Sequence, residues 1–174
     1  MEQEALQAFM DKTSGKLEDA VGLMKEAAVT RTVDSALLTG ALRLLEDEGG
    51  CSRPPAEVRD AMQGRWTVLW SDIVPFDFLK YIPVDETLTL EKGRIELKGF
   101  AGPLINTFGG EYEFRTDLNG FDFTMPEVKV ELFGRAVVDK TRDQDMRNYQ
   151  ILYLDDATMA VRTSAGGYTL LCRP

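Results

Sequence analysis

The 174-residue chain reads as a mainly β protein with N-terminal helices, its strands closing an antiparallel up-and-down barrel. Two observations predict this. Apolar residues recur every three or four positions up to about residue 62 and every second position from Arg65 onward. Beyond Gly64, eight or nine short alternating segments follow one another across tight turn signals, a rhythm that suits a meander better than a parallel α/β sheet. The length suits a single domain, with 1–63 as a helical segment packed on a barrel formed by 64–174.

The elements follow in order. Leu6, Phe9, Met10, Thr13, Leu17, Val21, Met24 and Ala28 mark one face of an amphipathic helix over 2–28, weakened near Gly15. Leu37, Leu38, Ala41, Leu42, Leu44 and Leu45 mark a second helix from Asp34 to Asp47, stopped at Gly49-Gly50. Pro54-Pro55 opens a linker, and Ala56–Met62 adds a helical turn. The first strand covers 65–72, with Trp66, Val68 and Trp70 expected on one face. An irregular apolar loop, Ile73–Pro83, is expected either to border the barrel mouth or to fold onto the helices. Glu86–Glu91 and Arg94–Lys98 read as a hairpin across Lys92-Gly93. Extended segments follow at 104–108 and 111–116, then at 121–125 beyond the Asn119-Gly120 turn. Val128, Val130 and Leu132 alternate, 139–147 is a charged excursion, and 148–154, 158–163 and 168–173 close the chain as a three-strand meander.

Composition narrows the chemistry. Histidine is absent, which removes the usual general base, metal ligand and neutral-pH switch together. The net charge of −9 carries no basic block, so nucleic acid is not an expected partner. No apolar run approaches the roughly 20 residues of a membrane-spanning helix. Cys51 and Cys172 form no metal spacing, and two reduced thiols are expected rather than a disulfide. The opening Met-Glu-Gln-Glu-Ala has neither the basic nor the apolar region of a secretory signal, and no transit peptide is expected within these residues. The acid pairs Asp85-Glu86, Asp143/Asp145 and Asp155-Asp156 sit where turns are expected and read as solvated turn acids. No serine or cysteine can have a histidine partner. The expectation is therefore a non-enzyme with no catalytic residue, no metal site and no required cofactor.

Gly64-Arg65-Trp66 is the opening signature of lipocalin-like barrels, in which the Trp plugs the closed end of a cup. The fuller stretch Gly64-Arg65-Trp66-Thr67-Val68-Leu69-Trp70-Ser71-Asp72 resembles the first-strand motif of the plastid lipid-associated protein/fibrillin family. Tyr153-Leu154-Asp155-Asp156, Met159, Val161, Arg162, Gly166 and Leu170-Leu171 resemble that family's closing motif. Two positions depart from it: Thr163 stands where Gly usually follows the Arg, and Trp70 where Tyr is commoner. The resemblance implies a lipocalin-like plastid protein, associated with thylakoids or plastoglobules, that binds or organises isoprenoid-type lipids such as carotenoids or quinones.

The candidate ligand-binding residues, at the barrel interior and mouth, are Trp66, Trp70, Phe76, Phe78, Tyr81, Tyr112, Phe114, Phe123, Tyr149, Tyr153 and Arg162. Even spacing of aromatics describes a filled core and a lined cavity equally well. Either Arg162 or Arg173 is expected to cover Trp66 in a cation–π contact worth about 0.5–2 kcal/mol. Three functions remain open. One is a carrier of a small hydrophobic ligand. Another is an interaction subunit with a filled barrel, docking on a photosynthetic complex, a membrane surface or a lipid globule. The third is an enzyme or lyase-like chaperone on the same fold.

Overall fold

The change of hydrophobic period at Gly64 is a change of architecture. The computed structural model describes residues 2–74, 76 and 79–174. Helices α1 (Glu2–Lys12), α2 (Leu17–Thr30), α3 (Ser35–Asp47) and α4 (Pro55–Ala61) precede the strands. These are β1 (Gly64–Ser71), β2 (Asp85–Glu91), β3 (Arg94–Ala101), β4 (Leu104–Arg115), β5 (Gly120–Leu132), β6 (Arg135–Thr141), β7 (Arg147–Leu154), β8 (Thr158–Thr163) and β9 (Tyr168–Cys172). Eight of them close a lipocalin-like antiparallel barrel in the order β1-β2-β3-β4-β5-β7-β8-β9, with β9 returning to β1. Strand β6 pairs only with the far part of β5 and lies outside the ring.

The expected helix over 2–28 is two helices. Gly15 takes a left-handed φ of +68°, and the Asp19 carboxylate accepts the Ser14 N–H at 3.0 Å just before the second helix starts. Helix α3 is capped by Asp34, whose Oδ1 accepts from Ala36 N at 3.0 Å and Leu37 N at 3.2 Å. It meets α1 at Gly40, where a Cβ would lie 2.2 Å from the Ala5 carbonyl oxygen.

The hairpin across Lys92-Gly93 forms as expected, both turn residues having positive φ. The segments 104–108 and 111–116 are one long strand, β4, and 121–125 joins 128–132 as β5. A bulge at Gly110 allows this fusion: a Cβ there would sit 1.9 Å from the Thr124 carbonyl oxygen. The charged excursion begins inside β6, a strand exposed along almost all of its length and so without an alternating signal.

Two cores result. The inner one lies inside the barrel and includes Val58 from α4 and Met62 at its C-terminal cap, so this helix closes one end. There Trp66 is fully buried, its indole N–H donating to the Met62 carbonyl at 2.8 Å. The Arg173 guanidinium stacks 4.2 Å above its ring and donates to the carbonyls of Ala61 and Gln63. Of the two arginines expected to cover Trp66, Arg173 is the one. The outer core packs α1, α2 and α3 against the outer faces of β1, β7, β8 and β9.

Two bulges decide which residues belong to which core. Val68 pairs with Leu171 and Trp70 with Leu170, so Leu69 is an extra residue in β1. Leu69 and Trp70 consequently both face the helices. Trp70 does not share a face with Trp66 and Val68, as strict alternation predicts; it is buried outside the barrel, its indole N–H 3.2 Å from Ser35 Oγ. The same device in β7, between Ile151 and Tyr153, sends Leu152 and Tyr153 outward together and returns Leu154 to the interior.

Candidate functional site

The barrel end opposite Trp66 is not filled. A cavity of about 230 Å³ lies inside it, walled by Val68, Leu88, Ile95, Leu97, Met125 and Leu171 and bordered by Ile73, Val74 and Ile82 from the connection after β1. Each wall residue occupies the inward register of its strand. In β2, for instance, Glu86, Leu88 and Leu90 share one parity and point inward together. An aromatic cluster fills the adjoining interior: Phe123 and Tyr149 stand edge to face at 4.9 Å, Phe121 and Tyr149 at 5.5 Å, and Tyr112 and Phe121 at 5.6 Å. The barrel is thus partly filled and partly hollow.

Four polar side chains reach the cavity: Ser71, Glu86, Tyr149 and Thr169. Ser71 and Thr169 satisfy each other at 3.1 Å, and Ser71 also bonds the Tyr168 carbonyl at 3.2 Å. Glu86 and Tyr149 have no hydrogen-bond partner among the described residues. Burial pushes the Glu86 carboxyl above the usual carboxylate range. Burial, with the nearby Glu86 charge adding to it, pushes the Tyr149 hydroxyl up to about 12, so it stays a donor at neutral pH. The result is an apolar cup with one acidic group and one neutral donor.

The expected site residues divide accordingly. Tyr149 lines the cavity, and Tyr112 and Phe123 back it through the aromatic cluster. Phe114 packs at the margin of the inner core. Trp66 is a plug at the closed end and does not border the cavity. Trp70 and Tyr153 are on the outer face because of the bulges. Arg162 is also outside: it lies 4.5 Å over the Tyr168 ring and pairs with Glu2 at 2.9 Å, fastening α1 to the barrel. Phe76 is 56% exposed and does not border the cavity. Phe78 lies outside the described residues. Tyr81 turns to the helices, donating to the Val33 carbonyl at 2.9 Å. The connection after β1 therefore serves both expected roles: Ile73, Val74 and Ile82 border the cavity while Tyr81 docks on the helical layer.

Glu86 is the correction that matters most. It is not a solvated turn acid but the first inward residue of β2, and its parity with Leu88 and Leu90 was the signal for that. Asp155 does sit in a turn, yet it is fully engaged. Burial would raise its carboxyl, but the Ala157 and Thr158 N–H groups, Lys25 and the Tyr153 hydroxyl hold it at about 2. Cys51 and Cys172 are unpaired.

A larger groove of about 590 Å³ runs between α1, α3 and the Asp72 and Gly166-Gly167 turns. Glu2, Glu4, Asp34 and Asp72 line it together with Lys80, so it is an open, charged surface and a poor seat for an apolar molecule. No protein-family model, curated protein or solved structure matches this chain.

Proposed function

We propose that this protein carries a small hydrophobic ligand in the open end of its barrel, in the manner of the plastid lipid-associated proteins its two end motifs resemble. The observation that carries the reading is the apolar cavity of about 230 Å³ beyond the aromatic cluster. At about 30 Å³ per water-sized group, that volume takes roughly eight such groups. A whole carotenoid does not fit; a quinone ring or the terminal ring of a carotenoid does, with its chain leaving through the mouth beside Ile73 and Ile82. On this reading the protein works at a thylakoid or plastoglobule surface, where such ligands are dissolved. No chemical step is assigned: the polar groups in the cavity hold and orient.

Titration calorimetry with dimethylbenzoquinone and with β-ionone tests this. One molecule should bind per chain. Leu97→Trp, which places an indole in the cavity from a half-buried position, should abolish binding with little change in melting temperature. Undiminished binding to that variant would show that the ligand sits elsewhere.

A further inference from the structure

The cavity is not merely greasy: of its four polar side chains, Ser71 and Thr169 satisfy each other while Glu86 and Tyr149 are unmatched among the described residues. Glu86 is an acceptor when ionised, inward-facing and half-buried, with no hydrogen-bond partner among the described residues. Its cross-strand neighbour is Gly99, and a Cβ at Gly99 would meet nothing within 4 Å. The space beside the carboxyl is therefore left open by the protein. Tyr149, across the barrel on β7, supplies a hydroxyl that likewise has no partner. A desolvated carboxyl without a partner costs folding free energy, and a bound group that donates to it recovers that cost.

Resting on the ligand-carrier reading above, we infer that the cavity selects apolar molecules whose head group donates a hydrogen bond to Glu86. Ammonium heads rank first and hydroxyl heads second; a quinone or ionone carbonyl, which can only accept from Tyr149, binds more weakly than either, and carboxylate-headed lipids are excluded. An ammonium compensates the buried negative charge directly, and the Tyr149 ring lines the same cavity. A hydroxyl donates to Glu86 and can accept from Tyr149. A carboxylate brings a second negative charge into the same low-dielectric space, and the net charge of −9 opposes its approach as well. Fatty acids, although of suitable apolarity, are thus the wrong ligands for this barrel.

Three probes with one tail and different heads read this out: octylamine, octanol and octanoate, titrated calorimetrically at about pH 8. The amine should bind about tenfold or more tighter than octanoate, with octanol between them. Glu86→Gln, which keeps the shape and removes the charge, should weaken the amine by about tenfold or more and strengthen octanoate. Octanoate binding as tightly as octylamine, or an amine affinity unchanged in Glu86→Gln, would overturn the head-group inference and leave the cavity reading standing. Failure of all three probes, together with the benzoquinone and β-ionone, would overturn the cavity reading itself.

Discussion

The barrel has two unlike arcs. Strands β1, β8 and β9 are buried on both faces, the inner against the core and the outer against α1–α3, and their sequences are nearly continuous apolar runs such as Met159-Ala160-Val161. Strands β3 and β4 face solvent on the outside, and β3 starts with clean alternation: Arg94 out, Ile95 in, Glu96 out, Leu97 in. The bulges at Leu69 and Leu152 both fall where the helices cover the barrel. A covered strand must satisfy two apolar neighbours at once, and an extra residue lets two successive large side chains serve the outer one. In the exposed arc β2 and β3 keep a single register and supply Glu86, Leu88, Ile95 and Leu97 to the cavity, and the bulge at Gly110 in β4 serves a close backbone approach to β5 instead of a second core.

Removing Trp66 should break the inner side of this comparison hardest. Trp66→Ala deletes the plug and leaves the stacked Arg173 without its ring; a loss of about 3–5 kcal/mol by chemical denaturation is expected. A loss below about 1 kcal/mol would mean that α4 and Arg173 close the end unaided. Gly40→Ala strikes the outer side instead. Its Cβ would collide with the Ala5 carbonyl, so α1 must shift, at a cost of about 1–3 kcal/mol. Hydrogen exchange should rise in α1 while the quinone titration stays unchanged. A parallel loss of binding would show that the helical layer sets the shape of the cavity.

The smallest effect belongs to Glu86 and depends on pH. Burial raises its folded-state value above that of an unfolded Glu, near about 4.3, so the folded chain holds the proton more tightly. Its contribution to stability is complete below that value and is lost as pH rises through the folded one. Glu86→Gln should therefore melt with the wild type near pH 4 and above it near pH 8, a gain smaller than the losses described above. Equal melting temperatures at both values would place the carboxyl in water.

Local chemistry made much of this legible. Lys92-Gly93 and Asn119-Gly120 announced their turns, the break in period at Gly64 announced the barrel, and the Gly-x-Trp opening announced a plugged end. What escaped prediction depends on partners distant in sequence. No residue near Leu69 or Leu152 declares a bulge; the helices packed over them do. Trp70 and Tyr153 were therefore assigned to the wrong side of the wall, whereas Arg162 faces outward by plain alternation in β8, where Met159 and Val161 point inward. Glu86 was misjudged for a different reason: an acid beside Asp85 looks like a turn, although its parity with Leu88 and Leu90 marked it as inward, and the open space beside it comes from its cross-strand neighbour Gly99. The identity of the ligand has no local signature, because the walls come from six separate segments of chain.

The seam that closes the barrel joins β1 to β9, the first strand made to the last. During synthesis the ribosome releases Val68 roughly a hundred residues before its partner Leu171 exists. Until then the nascent sheet has two open edges, and Trp66 waits without Arg173 above it. Closure is consequently a late, long-range event, slow compared with hairpin formation and exposed to chaperones and to neighbouring chains. A translation pause after β8 would lengthen that vulnerable interval more than a pause at any earlier turn.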